Sequence, residues 1–370
     1  MRGLCVTGIV LGLTACSAPA DTPGPATPPS TTTRPTSPST TGEPHPPKPL
    51  RIAFAGDIHF EGVLAERLRE PTTALEPASS ALAAADLAIV NLETSVGSGG
   101  TPEPGKRFTF SAGGEALAAL SAAGVDVASM ANNHALDYGR ARLPSTMRAV
   151  SAAGRSEHPL SVVGIGRDAE EAFRPALVEV GDTVVATLAA SLADQDPTAD
   201  PTGHWAATGA RSGIADATDP SRLLAAVRRA DEDADVVVVY LHWGIQGARC
   251  PSPDQRSIAT RLVERGADVV VGSHAHQLQG AGRLGEGYVS YGLGNFAWYS
   301  PGTDETSRTG VLTLTIEPPA VRAGRARVVR ASWDPRRIGA DGLPVPVTGA
   351  AAAGFRAELQ ALRDCAGLGG

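Results

Sequence analysis

Two histidines in the spacing H-x-H, His274 and His276, close the apolar run Val269-Val270-Val271-Gly272-Ser273. Along a strand, side chains two positions apart share a face, and at a turn just past its end both imidazoles can fan around one point. Neutral imidazole is the commonest protein ligand for transition metals, so this pair points to a metal site. Histidine pairs also occur on surfaces and in satisfied cores, so the pair does not establish a site by itself.

Repetition strengthens the reading. Five other apolar runs end in polar groups of the same kind. Ile52–Ala55 leads into Gly56-Asp57-Ile58-His59, and Leu87–Val90 into Asn91-Leu92-Glu93. Val125–Ser129 leads to Asn132-Asn133-His134, Val236–Leu241 to His242-Trp243-Gly244, and Val289–Tyr291 to Gly292-Leu293-Gly294-Asn295-Phe296. Each has a plain alternative: Asp57 as a helix cap with His59 on the surface, Glu93 as an exposed turn acid, Asn132 and Asn133 as turn formers. His242 follows five residues of buried-strand type, where an unpartnered imidazole would be costly, and this favours a ligand. Open α/β sheets form their sites outside the carboxyl ends of the strands. Asp, His, Glu and Asn groups all delivered to that edge read as one assembled site.

The elements that position these groups alternate. Between the strand-like runs lie Ala-rich stretches of helical character at Ser79–Ala85, Glu115–Ala123, Arg140–Ala153 and Ser221–Ala230. Asp219-Pro220 and Ser252-Pro253 are helix starts, with Gly266 as a stop for the second. Alternation through residue 296 implies a layered α/β fold. After Phe296 the pattern changes: 311–316 alternates apolar residues with Thr, and 326–333 is β-rich with exposed Arg positions. These read as antiparallel strands completing a second sheet, followed by a terminal helix near 350–363. With 370 residues and a net charge of −7 the chain has length for a large core and no basic stripe, which argues against nucleic acid as its main partner.

Residues 1–15 carry Arg2 and the apolar run Leu4–Leu13, too short to span a bilayer as a mature helix. The run closes in Leu13-Thr14-Ala15-Cys16, similar to the lipobox of bacterial lipoprotein signal peptides, which implies cleavage before Cys16 and lipid on its thiol. Residues 16–49 form a Pro/Ser/Thr/Gly linker unable to bury enough apolar surface to fold. At ~3.1 Å per residue it reaches up to about 100 Å. The expected boundaries are therefore a signal peptide over 1–15, a lipid-anchored linker over 16–49 and a folded part over 50–370, held at the extracytoplasmic face of the membrane. In that compartment Cys250 and Cys365 can pair.

Taken in order, Gly-Asp-Ile, Asn-Leu-Glu, Ala-Asn-Asn-His-x-x-Asp-Tyr-Gly, His-Trp-Gly and Leu-Gly-Asn-Phe resemble the bacterial CapA family of capsule and poly-γ-glutamate synthesis proteins. The resemblance covers roughly residues 50–300. That family's domain is similar to calcineurin-like metallophosphoesterases, which implies two mixed β-sheets sandwiched between helices. Carried over residue by residue, it puts Asp57, His59 and His276 on one divalent metal and Asn133, His242 and His274 on a second, with Glu93 bridging and His134 protonating a leaving group. The nitrogen-rich ligands suit Mn, Zn or Fe. The chain departs from the phosphoesterases at Glu93, where they use aspartate, at Asn132, where they have glycine, and at Ala275, in place of a proline. It keeps His59, which many CapA relatives lack.

The resemblance implies service to capsule or poly-γ-glutamate production alongside other capsule-synthesis membrane proteins. Two alternatives stand beside it: a phosphoesterase acting on wall or nucleotide phosphates, and a non-enzymatic polymer-binding assembly factor. An anionic polymer or phosphorylated substrate would draw on Asn91, Arg107, Arg140 and Asn295, with Lys106 and Arg142 nearby in sequence. Replacing Cys16 by Ala is expected to move the protein from the membrane fraction to the soluble one; a variant still firmly membrane-bound on fractionation would refute lipidation at that thiol.

Overall fold

Alternation along the first strand sets the architecture. In Leu50–Ile58 (β1), Ile52 and Phe54 face one way and Ala53 and Ala55 the other, and all four are fully buried. A strand buried on both faces requires a layer on each side. Ile52 and Phe54 join a core with Ile89, Val127 and the valines at 236–239 and 269–271. Ala53 and Ala55 join a second core with Leu82, Leu117, Leu120 and Leu143. The layers therefore run helix, sheet, sheet, helix in this computed structural model, which describes residues 48–192, 200, 203–300, 302–321 and 324–370. The signal segment, Cys16 and nearly all of the linker lie outside the described residues.

In the first sheet β1 pairs in parallel with Leu87–Leu92 (β2), which pairs with Val127–Ser129 (β3), itself beside Ser161–Val163 (β4). The second sheet begins with the hairpin Ala176–Val180 (β5) and Thr183–Leu192 (β6), and continues with Val236–Trp243 (β7) and Val269–Ser273 (β8). A second hairpin, Ala281–Leu284 (β9) and Gly287–Ser290 (β10), completes the order β9-β10-β8-β7-β6-β5. The chain then returns to the first sheet. Asn295–Ala297 (β11) pairs with the end of β1, and Arg308–Glu317 (β12), Arg327–Ile338 (β13) and Pro344–Pro346 (β14) extend its other edge.

This corrects one sequence expectation. The alternating segments after residue 310 do form antiparallel strands, but they lengthen the first sheet and pair with no strand of the second. Alternation fixes which face a residue takes and leaves the neighbouring strand open. Here Leu314 pairs with Ile52, and Leu312, Leu314 and Ile316 add to the core that Ile52 and Phe54 occupy.

Glu115–Ala122 (α1) and Leu143–Ala153 (α2) cover the outside of the first sheet. Ser221–Asp233 (α3) and Pro253–Glu264 (α4) cover the second through Leu223, Val227, Ile258 and Leu262. Ser252 caps α4 reciprocally with Gln255. The expected helix over 140–153 starts as a 3-10 turn and turns α-helical at Leu143, since Pro144 lacks an N–H and belongs in a first turn. The expected helix at 79–85 shrinks to Ser80–Ala83. Gly349–Ala366 (α5) packs Phe355, Leu359 and Leu362 against Leu278 and Trp333. Cys365 near its end is bonded to Cys250, with 5.8 Å between the α-carbons. No helix among the described residues is long and apolar enough to cross a membrane.

An aspartate repeats at the entry to four parallel strands. Asp86, Asp126, Asp235 and Asp268 donate their backbone N–H to the carbonyls of Arg51, Ala88, Val184 and Val237, at 2.9–3.0 Å. Their carboxylates accept the N–H of those same residues at 2.7, 2.7, 2.8 and 2.9 Å. Each side chain thus replaces a missing ladder bond and fixes where pairing begins.

Asp268 is the most buried of them, and burial pushes its carboxyl from 3.8 to about 7 against the pull of Arg325. A raised acid pKa means the folded state takes up a proton that the unfolded chain releases. Stability from this group therefore grows as pH falls from about 7 towards 4, and its charged form weighs against folding above that window. Asp268→Asn keeps an acceptor for the Val237 N–H and is expected to raise the melting temperature at pH 8, by at most about 4 kcal/mol of stability. A lower melting temperature at pH 8 would show instead that the Arg325 pair outweighs burial.

Candidate metal centre

Two sheets bring their strand ends to one place. The end of β1 supplies Asp57 and His59, the segment after β2 Glu93, the turn after β3 Asn133 and His134, and the ends of β7 and β8 His242, His274 and His276. Close backbone approaches hold these ends together. The Asp57 N–H donates to Gly294 O at 2.9 Å, and a Cβ on Gly56 would lie 1.8 Å from that oxygen. Gly272 likewise leaves room for Trp243, whose Nε1 donates to Tyr291 O at 2.8 Å. The Tyr240 hydroxyl donates across the sheets to Ala55 O at 2.9 Å. Among the described residues, His274 (φ 90°) and His276 (φ 54°) are the only non-glycine residues with positive φ. Such backbone persists only where the surroundings impose it, and it clusters at functional sites.

One set of donors is already gathered. Around His242 Nε2 lie Asn133 Oδ1 at 2.7 Å, His274 Nδ1 at 3.0 Å and Glu93 Oε1 at 3.5 Å. Ligands bound about 2.0–2.2 Å from a Zn-type ion stand about 3–3.5 Å from one another, so this spacing suits a common cation. Ligand atoms of Asp57, Glu93 and His242 all fall within 4.8 Å of one another. Ser273 Oγ, 3.0 Å from His242 Nδ1, can accept that nitrogen's proton when Nε2 is the ligand.

The electrostatics also call for a cation. Glu93 is fully buried and neither carboxylate oxygen has a hydrogen-bond partner. Burial, and then the nearby Asp57 charge, push its carboxyl well above the ordinary range, with Lys106 opposing. Burial and the neighbouring histidines hold His242 well below the ordinary imidazole range. Two crowded acids beside neutral imidazoles form a pocket short of positive charge, with lone pairs to offer. The residues present fit a divalent metal.

Beside the donors stands a second device. Asp137 Oδ2 accepts the Phe110 N–H at 2.6 Å and His134 Nδ1–H at 2.5 Å, which turns His134 Nε2 towards Glu93 Oε1, 3.7 Å away. Burial pushes the Asp137 carboxyl up to about 7, opposed by Lys106, whose Nζ lies 3.2 Å from Asp137 Oδ1 and also donates to Asn133 O. Phe110 stacks on His134 at 4.0 Å and on His59 at 4.5 Å. This is the geometry of an oriented proton donor.

The other sequence candidates take varied places. His276 Nδ1 lies 3.5 Å from Asp57 Oδ2 and 2.8 Å from Asn295 Oδ1. His59 is buried, but its Nε2 accepts the Tyr299 N–H at 3.1 Å and its ring is enclosed by Phe110, Trp298 and Tyr299, so it stands beside the gathered donors. Asn91 and Asn295, expected to face a substrate, instead brace donors: Asn91 Nδ2 donates to Asp57 Oδ1 at 2.8 Å, and Asn295 contacts His276. Arg107 is exposed over Phe108, whereas Arg140 lies partly buried just beyond the His134 turn. Sequence reading gave Asn132 only a turn-forming part and assigned no role to Asp137, Phe110 or Ser273. Asn132 donates to Asn91 Oδ1 and Leu92 O and accepts the His134 N–H, tying the β2 and β3 turns together. Of these, Asp137 carried a signal, three residues after His134 in the same block.

Residues 51–300 match the family model described as bacterial capsule synthesis protein PGA_cap. The chain is 29% identical over 250 residues to the capsule biosynthesis protein CapA of Bacillus anthracis, covering 63% of this chain and 57% of that protein. It is 29% identical over 323 residues to a "probable polyglutamine synthesis accessory protein" of Mycobacterium tuberculosis, covering 78% of this chain and 82% of the relative. A solved phosphatase structure from Mycoplasma pneumoniae covers 78% of this chain and 93% of its own, at 12% identity and a TM-score of 0.44. At that score the likeness carries no functional weight.

Glu93→Gln separates the two consequences of this geometry. Removing a buried ionisable acid, which folding forces to take up a proton, should raise the melting temperature of metal-free protein, by about 2 °C or more. The same change should abolish the further rise that Mn²⁺ or Zn²⁺ gives the unaltered protein. Equal metal-induced stabilisation in both would show that Glu93 is not a ligand.

Proposed function

The chain belongs to the family of bacterial capsule synthesis proteins, and we propose that it serves production of an anionic surface polymer, poly-γ-glutamate or a capsule polymer, through a divalent-metal centre of phosphoesterase type. One observation carries this reading: Glu93, buried with both oxygens lacking hydrogen bonds, faces Asp57 and His242 within ligand range. Asn133, His242, His274 and Glu93 would hold one metal. Asp57, His276 and His59 would hold a second, with Glu93 shared and His59 first releasing the Tyr299 N–H. Mn, Zn and Fe fit this mix of nitrogen and oxygen donors. Such metals supply water activation and neutralise charge on a phosphoryl group. The protein's own part is to bind and orient the phosphoester, while His134, held by Asp137, delivers a proton from Nε2 to the leaving oxygen. With Cys16 lipidated, this work would take place at the outer face of the membrane.

A broader reading, hydrolysis of wall or nucleotide phosphoesters, draws support from the His134–Asp137 pair, because a chain that only bound polymer would have no use for an oriented proton donor. The test is a phosphomonoester and phosphodiester assay on metal-loaded protein. Turnover is expected, and His134→Ala should lower kcat by about 10²–10⁴-fold with metal content unchanged. Metal-loaded protein that hydrolyses neither ester would leave a non-enzymatic polymer-binding role in its place.

A further inference from the structure

One rim of the centre carries cations whose hydrogen-bonding capacity is unfilled. Arg140 follows the turn that supplies His134 and Asp137, and its Nη1 and Nη2 are both shielded from water with no hydrogen-bond partner. Arg211, two residues before the short strand Gly213–Ile214, has its Nε in the same condition. The two guanidiniums come from separate elements and lie close enough to oppose each other: burial, and then the Arg211 charge, hold Arg140 below the ordinary guanidinium range. Asp200 and Glu103 pull the other way, but among the described residues neither arginine has an acid within ion-pair distance. Lys106 joins this rim to the centre. Its Nζ sits beside Asp137 and 5.0 Å over the ring of Trp205, a residue whose backbone N–H donates to Asp200 Oδ2 at 2.7 Å.

A buried N–H left without an acceptor costs stability, and more so for a charged group. Neighbouring arginines in that condition are poorly placed for stability alone. Arg142, next but one in the chain, shows the contrast: its Nε donates to Gly99 O, its Nη1 to Ser95 O and Ser111 Oγ, and it stacks on Tyr138. The planar guanidinium fork matches a carboxylate or phosphate, and a pair of forks can grip one oxyanion from two sides.

We propose that Arg140 and Arg211 form a subsite for an oxyanion, a carboxylate or phosphate carried by an extended polyanion. The kind of ligand rests on the polymer reading above; the geometry does not. Titration calorimetry on full-length protein stripped of metal with EDTA tests the subsite apart from the metal. The probes are an oligo-γ-glutamate, bearing only carboxylates, and inorganic polyphosphate. The unaltered protein is expected to bind at least one, and the stronger of the two identifies the source of the oxyanion. Arg140→Gln and Arg211→Gln should each weaken that binding by about tenfold or more, while Arg140→Lys restores only part of it because lysine lacks the fork. Arg330→Gln, at an exposed position of β13, should leave it unchanged. Thermal melts establish that each variant is folded, and if Arg140→Gln is not, Arg211→Gln and Arg140→Lys carry the comparison. Binding insensitive to both arginines, or no binding of either probe, overturns the proposal and leaves the metal centre untouched.

Discussion

A buried carboxylate with nothing to hold it is the constraint around which this site is organised. Glu93 lies at the carboxyl end of the first sheet, out of reach of water, next to a second buried acid, Asp57. Such a pair is tolerable only where compensation is supplied, by protonation or by a cation. The surroundings favour a cation, because they offer lone pairs: an asparagine oxygen and the His242 imidazole, kept neutral by burial. The rest of the molecule positions them. Two sheets packed on a shared apolar core bring β1, β2 and β3 to face β7 and β8, and at the left-handed turns the His274 backbone N–H donates to Asp57 Oδ2 at 3.3 Å while the His276 ring comes within 3.5 Å of the same oxygen.

The centre is asymmetric. Donors around His242 already stand at ligand spacing, whereas the other half is looser, with His59 engaged by a backbone N–H and enclosed by aromatic rings. Phe110 stacks on both His59 and His134, so the residue that confines one imidazole also fixes the proton donor. That places metal affinity on one side of the site and orientation on the other. His134 is set by Asp137 and Phe110 without itself being needed to hold a cation.

Much of this was legible in the sequence for a local reason. An apolar run followed at once by Asp, Glu, Asn or His states both the strand and the end that matters, so the donors could be read from short segments. The aspartates at the strand entries obey an equally local rule, visible once the hydrogen bonds are known. What was hidden depends on tertiary packing. Lys106 and Arg107 are neighbours in a stretch without periodicity, yet one is buried against Asp137 and the other lies exposed over Phe108. Phe110 sits just beyond the same stretch and shows no pattern of its own. The late strands were recognised by alternation, which gives the face and is silent on the partner, so their sheet was misassigned. Asn91 and Asn295 were read as substrate contacts; the folded geometry shows them bracing Asp57 and His276.

Anomalous diffraction from crystals soaked in Mn²⁺ tests the central claim most directly. A peak is expected about 2.0–2.3 Å from Glu93 Oε1, His242 Nε2, His274 Nδ1 and Asn133 Oδ1. No peak among these four atoms at saturating metal, or a peak held by other residues alone, would contradict the account.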